Sequence, residues 1–328
     1  GRTNEAWRDG LDIIVSTDHM SIRPPKEKEL VGQPTPSDVQ AKRGARLTKS
    51  VNDVVKMAEN YGLLVIPGVE LTGDAKTQGH FNALFTTDNN AIYDYDGLQA
   101  IRNARAQGAL IMHNHPGWRH KTLERTPFEE QAYAEKLVDG VEIMNGFFFY
   151  PRAIEEAKSR KWFMAATTDI HSTTAQTYFV NGHLRNMTIV FAKDNTNESI
   201  LEAVRKGLSV AGELSGANGN EVRFYGDLRL VEFCHFLWQH YFSRTWRLCI
   251  GEGILMRRWA LGEDVGEILS ALAPTVENFY KRFYGLTPAP VLTDRQTRFL
   301  DAALEAQKAG PISKGSKLYL YGTNERRE

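Results

Sequence analysis

Residues 109–116, with the sequence ALIMHNHP, join a short apolar run to a cluster of polar side chains. Such a run is typical of a buried strand, and the polar residues after it begin a loop. Three other apolar runs pass directly into acidic or imidazole side chains, and His80 opens a fifth run. The three are residues 11–15 followed by STDH (16–19), residues 63–66 followed by PGVE (67–70), and residues 163–166 followed by TTDIH (167–171).

Around these runs, short apolar segments alternate with amphipathic ones over residues 1–210. The alternation favours an α/β fold in which βα units surround a parallel sheet. The predicted strands are residues 11–15, 63–66, 109–112, 140–144, 162–166 and 187–192. The predicted helices are residues 47–60, 97–106, 128–136, 152–160 and 198–206.

Two segments depart from this alternation. Residues 81–85 follow the apolar residues 69–72 too closely for a parallel crossover, which needs about a dozen residues or more. We therefore predict that they form the antiparallel partner of a hairpin. Residues 24–46 are polar and contain proline, lysine and arginine, which is typical of a long loop over one end of the sheet.

Beyond residue 212 the sequence has a mostly helical pattern and is rich in aromatic residues. We expect two domains, residues 1–212 and residues 213–328. The aromatic surface of the second domain is a candidate interface for a homo-oligomer. Its predicted helices are residues 227–242, 253–272, 275–284 and 294–309, with a short strand at residues 317–321.

The composition argues against several classes of protein. The 328 residues carry 40 basic and 40 acidic side chains, so the formal net charge is zero. Proteins that bind nucleic acid or acidic membranes present clustered positive charge, so neither partner is indicated. No apolar stretch approaches the ~18 residues of a membrane-spanning helix. Cys234 and Cys249 form no CxxC pair, which argues against a disulfide framework and a thiolate zinc site.

Seven side chains near the predicted strand ends are candidate ligands or catalytic groups. Loops that follow the strands of a parallel barrel meet at one face, so these segments converge there. Imidazole and carboxylate ligands without thiolates suit Zn²⁺, Mn²⁺ or Fe²⁺. Two such ions bridged by a carboxylate such as Glu70 polarise a phosphoryl oxygen and lower the pKa of bound water to about 7, which favours hydrolysis. The seven are Asp18, His19, Glu70, His80, His115, Asp169 and His171.

Some of these residues also have ordinary interpretations. A lone histidine such as His80 is commonly a structural residue, and Asp18 and Asp169 are competent helix N-caps. The spacing of His113 and His115 does not show which of the two is the ligand, because residues two apart on a strand face the same way. The joint occurrence of these residues at successive strand ends is what favours a shared metal site.

Two neighbouring segments supply further candidates. Glu142 lies in the predicted strand at residues 140–144 and Asn145 directly follows it, so both are candidates for contact with a substrate. Alternatively, Glu142 faces outward from that strand, because successive side chains of a strand alternate between its two faces. Trp118, Arg119 and His120 follow the His-Pro turn and form either a leaving-group pocket or a solvated loop.

The order of the motifs TDH, PGVE, HNHP and TTDIH resembles the polymerase and histidinol phosphatase (PHP) family of metal-dependent phosphoesterases. Four segments are most similar to its bacterial branch of Sb-PDE-type phosphodiesterases. The resemblance covers residues 1–212 and implies a distorted (βα)₇ TIM-like barrel with two or three metals at the carboxyl ends of the strands. The four segments are EAWRDGLD (5–12), HFNALF (80–85), NHPGW (114–118) and MTIVFA (187–192).

The resemblance implies a role for most of the candidate ligands. Glu70 would bridge the first two ions, and Asp169 would bind the first. Asp18 lies near the family's site without a firm role. The other ligands divide between the remaining ions, with His80 and His115 on the second and His19 and His171 on the third. The predicted catalytic residues are Asp18, His19, Glu70, His115, Asp169 and His171.

The sequence departs from the family at its beginning. The opening His-x-His motif of the family, on its first strand, and the SDG-like segment behind it have no counterpart here. By this mapping, the first ion loses two ligands, the third loses one and the second is complete. We therefore expect a barrel that lacks its first strand, and either a longer native N-terminus or an impaired enzyme.

The predicted activity is hydrolysis of a small phosphate ester, a phosphodiester above all, by metal-activated water. The alternatives are a histidinol-phosphate-like phosphomonoesterase and a catalytically incomplete barrel that acts as a binding module. Because related proteins of this branch are often exported, a periplasmic or exported location and a cytoplasmic one are both compatible with the sequence.

Overall fold

The computed structural model describes most of the chain up to residue 284 and groups it into two compact units. The first unit comprises Gly1–Asp12, Met57–Leu63 and Leu237–Glu328, and the second comprises Ile13–Lys56 and Leu64–Phe236. The described residues are 2–22, 36–59, 61–118, 124–178, 183–214, 222–242, 251–252, 254–255, 258–259 and 262–284.

The second unit contains a curved eight-stranded sheet of mixed direction. Its strand order is β1-β3-β4-β5-β6-β7, with β2 also paired to β3 and β8 also paired to β6. The pairs β3–β4, β4–β5 and β6–β7 are antiparallel, and the other pairs are parallel. The strands are β1 (Ile13–Ser16), β2 (His19–Ser21), β3 (Leu64–Thr72), β4 (His80–Leu84), β5 (Leu110–Asn114), β6 (Gly140–Asn145), β7 (Phe148–Phe149) and β8 (Phe163–Thr167).

A second, antiparallel sheet has the order β11-β10-β9 and belongs to the same unit. Its strands are β9 (Met187–Val190), β10 (Ser209–Glu213) and β11 (Arg223–Tyr225). Thr188 connects it to the large sheet, because its hydroxyl accepts a hydrogen bond from the Ala166 N–H at 3.1 Å. β10 is buried along its whole length.

Local signals in the sequence account for several helix starts. Asp96 caps α3 by accepting the N–H of Leu98, and Thr196 caps α7. Thr126 and Glu129 form a capping box before α4. The helices are α1 (Arg2–Arg8), α2 (Pro36–Glu59), α3 (Gly97–Ala106), α4 (Pro127–Ala134), α5 (Pro151–Arg160), α6 (Thr174–Thr177), α7 (Asn197–Arg205), α8 (Leu228–Leu237) and α9 (Gly266–Tyr284), and a π-helical turn, Trp238–Phe242, follows α8.

The predicted α/β class is confirmed, and so is the hairpin. β4 pairs antiparallel with β3, with Leu71 opposite Phe81, and both side chains are fully buried in the core. Each of the six predicted strands of the first 210 residues overlaps an observed strand, and each of the five predicted helices overlaps an observed helix. The exact (βα)₇ arrangement stays a prediction.

Some predictions were wrong. Residues 36–46 were expected to be a loop but begin α2, because alanine, lysine and arginine in that segment have high helix propensity. A break near Pro274 was expected, yet α9 continues through it, which a helix tolerates at the expense of one hydrogen bond. The strands β2, β7, β10 and β11 were not predicted.

Other predictions lie outside what the structure describes or are not tested by it. The helix at 294–309 and the strand at 317–321 fall on residues that are not described. The domain boundary at residue 212 stays a prediction and falls within β10. None of the described helices is long and apolar enough to cross a membrane.

Gly68 of the PGVE motif is required by the close approach of β3 to its neighbours. A Cβ there would lie 2.7 Å from the carbonyl oxygen of Ala83 and 3.2 Å from that of Ser16. Because both are backbone atoms, the strands must shift to make room, and we expect Gly68→Ala to lower the free energy of unfolding by about 1–3 kcal/mol. Thermal denaturation measures this loss.

Gly266 offers the control, because no atom lies within 4 Å of the position of its Cβ and its φ is not positive. Gly266→Ala is expected to match the wild type or to be slightly more stable. Equal melting temperatures for wild type and Gly68→Ala would contradict this account of the motif.

Candidate metal centre

Four neighbouring strands bring the predicted ligands together. In the sheet register His19 lies opposite Glu70, Thr72 lies opposite His80, and His80 lies opposite Asn114. His115 follows directly after β5. Pairing of β2, β3, β4 and β5 therefore places residues from distant parts of the sequence at one edge.

Glu70, His80 and His115 form the buried centre of the site. Their ligand atoms all lie within 4.8 Å of one another. The Nδ1 of His80 is 2.9 Å from Oε1 of Glu70. The three side chains can thus converge on one divalent cation, with one oxygen and two nitrogen ligands.

His19 and His171 lie on the exposed side of this centre. The Nδ1 of His19 is 2.8 Å from the Thr72 hydroxyl and 3.3 Å from Oε1 of Glu70. The Nδ1 of His171 is 2.9 Å from the carbonyl oxygen of Asp169. Both Nδ1 atoms therefore face acceptors, which favours the tautomer with the proton on Nδ1.

In that tautomer each Nε2 carries a lone pair. The two Nε2 atoms are 3.5 Å apart, and the two rings are stacked with centroids 5.7 Å apart. Two facing lone pairs repel unless a proton or a cation lies between them. This arrangement fits a second cation site formed by His19 and His171.

The two predicted aspartates differ in their surroundings. Asp169 has a positive φ of 44°, which turns the chain so that its carbonyl oxygen meets the ring of His171. Burial raises the pKa of Asp169, and the nearby charge of Glu70 adds to this effect. The carboxylate of Asp18 accepts a hydrogen bond from the Ser50 hydroxyl of α2. Asp18 is not in the buried Glu70 group.

The protonation states of the central residues suit a divalent cation. Burial opposes ionisation of Glu70, but hydrogen bonds and charge from His19 and His80 outweigh it and lower its pKa to about 2. Burial lowers the pKa of His115 to about 4. Glu70 is therefore a carboxylate and His115 a neutral imidazole, as metal ligands must be. In return, Glu70 raises the pKa of His19.

The structure shows different surroundings for His113 and His115, whereas the sequence did not distinguish them as ligands. His115 has a φ of 30°, so the chain leaves the strand geometry there. Its ring lies beside His80 and Trp118, with centroids 5.0 Å from each. His113 instead stacks on Phe81, and its Nδ1 is 2.6 Å from the Tyr133 hydroxyl. Arg119 and His120 lie outside the described residues.

This difference predicts opposite effects for two matched substitutions. We expect His115→Gln to weaken zinc affinity at least about 10-fold, because a ligand is lost. We expect His113→Gln to keep zinc affinity within about 3-fold and to lower the free energy of unfolding by about 1–3 kcal/mol, because the Tyr133 hydroxyl loses its buried partner. A chelator competition assay and thermal denaturation measure the two quantities. The opposite pattern would show that His113 is the ligand.

Glu142 is a part of the site that the sequence left undecided. Its side chain is buried, and Oε2 accepts the N–H of His115 at 2.6 Å and the side-chain amide of Asn145 at 2.9 Å. Oε1 accepts the Thr167 hydroxyl at 2.6 Å. Burial raises the pKa of Glu142 to about 7, although these hydrogen bonds favour the charged form. Glu142 therefore holds the backbone of His115 in place.

A β-bulge explains why Asn145 faces the same way as Glu142. The register of β6 against β8 shifts between Glu142 and Met144, where one extra residue is inserted. A bulge re-aims the side chains that follow it, so Glu142 and Asn145 share a face although they are three residues apart. The one signal in the sequence is an acidic residue within the apolar run GVEIM (140–144).

The fold and the site now allow comparison with known proteins. A crystal structure of a two-domain protein from Bacteroides vulgatus ATCC 8482, which contains a predicted PHP-like metal-dependent phosphoesterase, is similar to this chain. The TM-score is 0.52 and the sequence identity is 33%. This similarity supports placement of the chain in the PHP superfamily. The PHP resemblance of the TDH, PGVE, HNHP and TTDIH motifs is thus confirmed, whereas the Sb-PDE-type branch stays a prediction.

The similarity to the Bacteroides protein extends over only part of each chain. The match covers 64% of this chain and 58% of the Bacteroides protein. The crystal structure of a lesion-specific endonuclease from Pyrococcus furiosus aligns over 93% of this chain and 84% of that one, but at 14% identity and a TM-score of 0.35, which carries no argument. No protein-family model and no curated protein matches the chain.

Proposed function

We propose that this chain is a metal-dependent phosphoesterase of the PHP superfamily that hydrolyses a small phosphodiester. The observation that supports the proposal is the buried group of Glu70, His80 and His115, whose ligand atoms lie within 4.8 Å of one another. The Bacteroides protein, which contains a predicted PHP-like metal-dependent phosphoesterase, supports the same class of activity.

The residues divide into two sets of ligands. Glu70, His80 and His115 would hold one divalent cation, and His19 with His171 would hold another. Asp169, whose pKa is raised by burial and by Glu70, becomes a better ligand once a cation lowers that pKa. Zinc, manganese and iron(II) all suit oxygen and imidazole ligands.

When bound, a pair of divalent cations supplies Lewis acidity and a water nucleophile at neutral pH. The chain contributes the arrangement of the site. Thr72 donates a hydrogen bond to Oε1 of Glu70 at 3.2 Å, which fixes the carboxylate. Glu142 fixes His115 through its backbone N–H. The ring of Trp118 packs beside that of His80, with centroids 5.5 Å apart.

The choice of a phosphodiester rests on the sequence. Four segments of the chain resemble the Sb-PDE-type branch, and the net charge of zero does not favour a polyanionic nucleic acid as substrate. A small diester carries one negative charge, which two cations and neutral imidazoles can accommodate.

The test combines metal analysis with hydrolysis. We expect the purified chain, incubated with Zn²⁺ or Mn²⁺ and desalted, to retain at least one ion per chain by elemental analysis. We expect it to hydrolyse bis(p-nitrophenyl) phosphate faster than p-nitrophenyl phosphate. His113→Gln serves as the control that keeps the proposed ligands.

The other outcomes select between the alternatives. Hydrolysis of the monoester without the diester would favour a histidinol-phosphate-like monoesterase. Retained metal without hydrolysis of a range of phosphate esters would favour a binding module. Absence of bound metal from the wild type would overturn the proposal.

A further inference from the structure

Three consecutive phenylalanines lie exposed at the end of β6. The exposed fractions of Phe147, Phe148 and Phe149 are 47%, 63% and 37%. Aromatic side chains gain the most from burial, so an exposed aromatic cluster commonly marks a binding surface. The cluster follows Asn145, at the same edge of the sheet as the candidate metal centre.

The register of the hairpin decides which way Phe148 faces. Gly146 and Phe147 form a two-residue turn, with a φ of 57° at Gly146, and β7 then pairs antiparallel with β6. Asn145 lies opposite Phe148 in this pair. Residues directly opposite in an antiparallel pair place their side chains on the same face.

Hydrogen bonds connect that face to the metal centre. The side-chain amide of Asn145 donates to Oε2 of Glu142 at 2.9 Å, and the same oxygen accepts the N–H of His115 at 2.6 Å. Phe148 therefore shares a face with Asn145, whose side chain is linked through Glu142 to the backbone of the proposed ligand His115.

The neighbours of Phe148 are anchored. The ring of Phe147 lies 5.1 Å from that of Tyr178 and 5.3 Å from that of His183. Phe149 lies opposite Met144 on the other face, and its ring is 5.5 Å from that of Tyr225. These contacts fix the hairpin on both sides and leave the central ring the most exposed of the three.

The turn is also fixed to the strand that leads to Asp169. The side-chain amide of Asn186 donates to the carbonyl oxygen of Gly146 at 2.6 Å and to that of Thr167 at 3.4 Å. Thr167 ends β8, two residues before Asp169. The position of Phe148 relative to the site is thus set by the backbone of both strands.

We propose that Phe148 is a specificity-determining residue whose ring stacks on a planar aromatic group carried by the phosphate ester, such as an aryl group or a nucleobase. The proposal rests on the proposed function, since it places the phosphate at the metal centre and the aromatic group on Phe148. A stacked pair of aromatic rings adds affinity beyond that of the apolar area it buries.

Binding of non-hydrolysable phosphonates to the metal-loaded chain tests this by calorimetry. We expect phenylphosphonate to bind more tightly than methylphosphonate, and Phe148→Ala to weaken phenylphosphonate about 5- to 10-fold while methylphosphonate changes less than about 2-fold. Phe148→Leu should behave like Phe148→Ala, and Phe148→Trp like the wild type. A phosphonate analogue of adenosine monophosphate distinguishes a nucleobase from a simple aryl group.

Phe233→Ala is the matched control, because Phe233 is 46% exposed and lies on α8. It should leave every affinity unchanged. The proposal is overturned if the wild type shows no preference for phenylphosphonate, or if the preference survives in Phe148→Ala. It is also overturned if Phe148→Ala changes only the oligomeric state in size-exclusion chromatography, because the cluster is then an interface between copies.

Hydrolysis of bis(p-nitrophenyl) phosphate by the wild type, measured in parallel, separates the two proposals. Hydrolysis without a Phe148-dependent preference leaves the phosphoesterase proposal standing and removes this one. A Phe148-dependent preference without hydrolysis supports the aromatic site and removes the phosphoesterase proposal.

Discussion

Glu70→Gln is expected to reduce hydrolysis of bis(p-nitrophenyl) phosphate at least about 100-fold and to lower the metal content of the chain. Replacement of residues that merely support a metal ligand already weakens binding about 10- to 100-fold, and Glu70 is itself the central carboxylate. Glutamine keeps the shape of the side chain but removes the negative charge that pairs with His19 and His80. Elemental analysis and steady-state kinetics measure the two effects.

Glu202→Gln provides the matched control for this substitution. Glu202 is exposed on α7, where its carboxylate pairs with Lys206. Exposed pairs of this kind contribute little to stability, so activity and metal content should equal those of the wild type. Retention of both properties by Glu70→Gln would show that the buried cluster is not the metal centre.

Glu142→Ala is expected to have the second-largest effect and to act on stability and metal affinity together. It leaves three donors without their acceptor, namely the buried N–H of His115, the buried amide of Asn145 and the partly buried hydroxyl of Thr167. The expected loss is about 2–4 kcal/mol in the free energy of unfolding. Zinc affinity should fall about 10- to 100-fold, because His115 is no longer held in place.

Glu142→Gln tests whether the hydrogen bonds of Glu142 or its negative charge maintain stability and zinc affinity. Its carbonyl oxygen can accept from His115 and Asn145, and its amide can donate to the hydroxyl oxygen of Thr167. We expect stability and zinc affinity close to the wild type, because burial already raises the pKa of Glu142 to about 7 and so favours the neutral form. Equal effects of the two substitutions, by thermal denaturation and chelator competition, would contradict the positioning role.

Local patterns were sufficient to predict much of the sheet. The antiparallel β3–β4 hairpin followed from the short distance between two apolar runs, since a parallel crossover would not fit between them. α3 was predicted with its observed bounds, where Asp96 provides the N-cap. By contrast, β10 was missed because its small and apolar residues, SVAGE, lack the alternation of a half-exposed strand and are buried throughout.

The sequence by itself determined which residues could bind a metal, because histidines and carboxylates follow directly after apolar runs. It also indicated the PHP family through the order of these motifs. Only the tertiary structure decided which of them act together. His113 and His115 differ because the backbone turns at His115, and Asn145 shares a face with Glu142 because of a bulge in β6. Register and backbone turns depend on contacts between distant strands, and a pattern of neighbouring residues contains no information about such contacts.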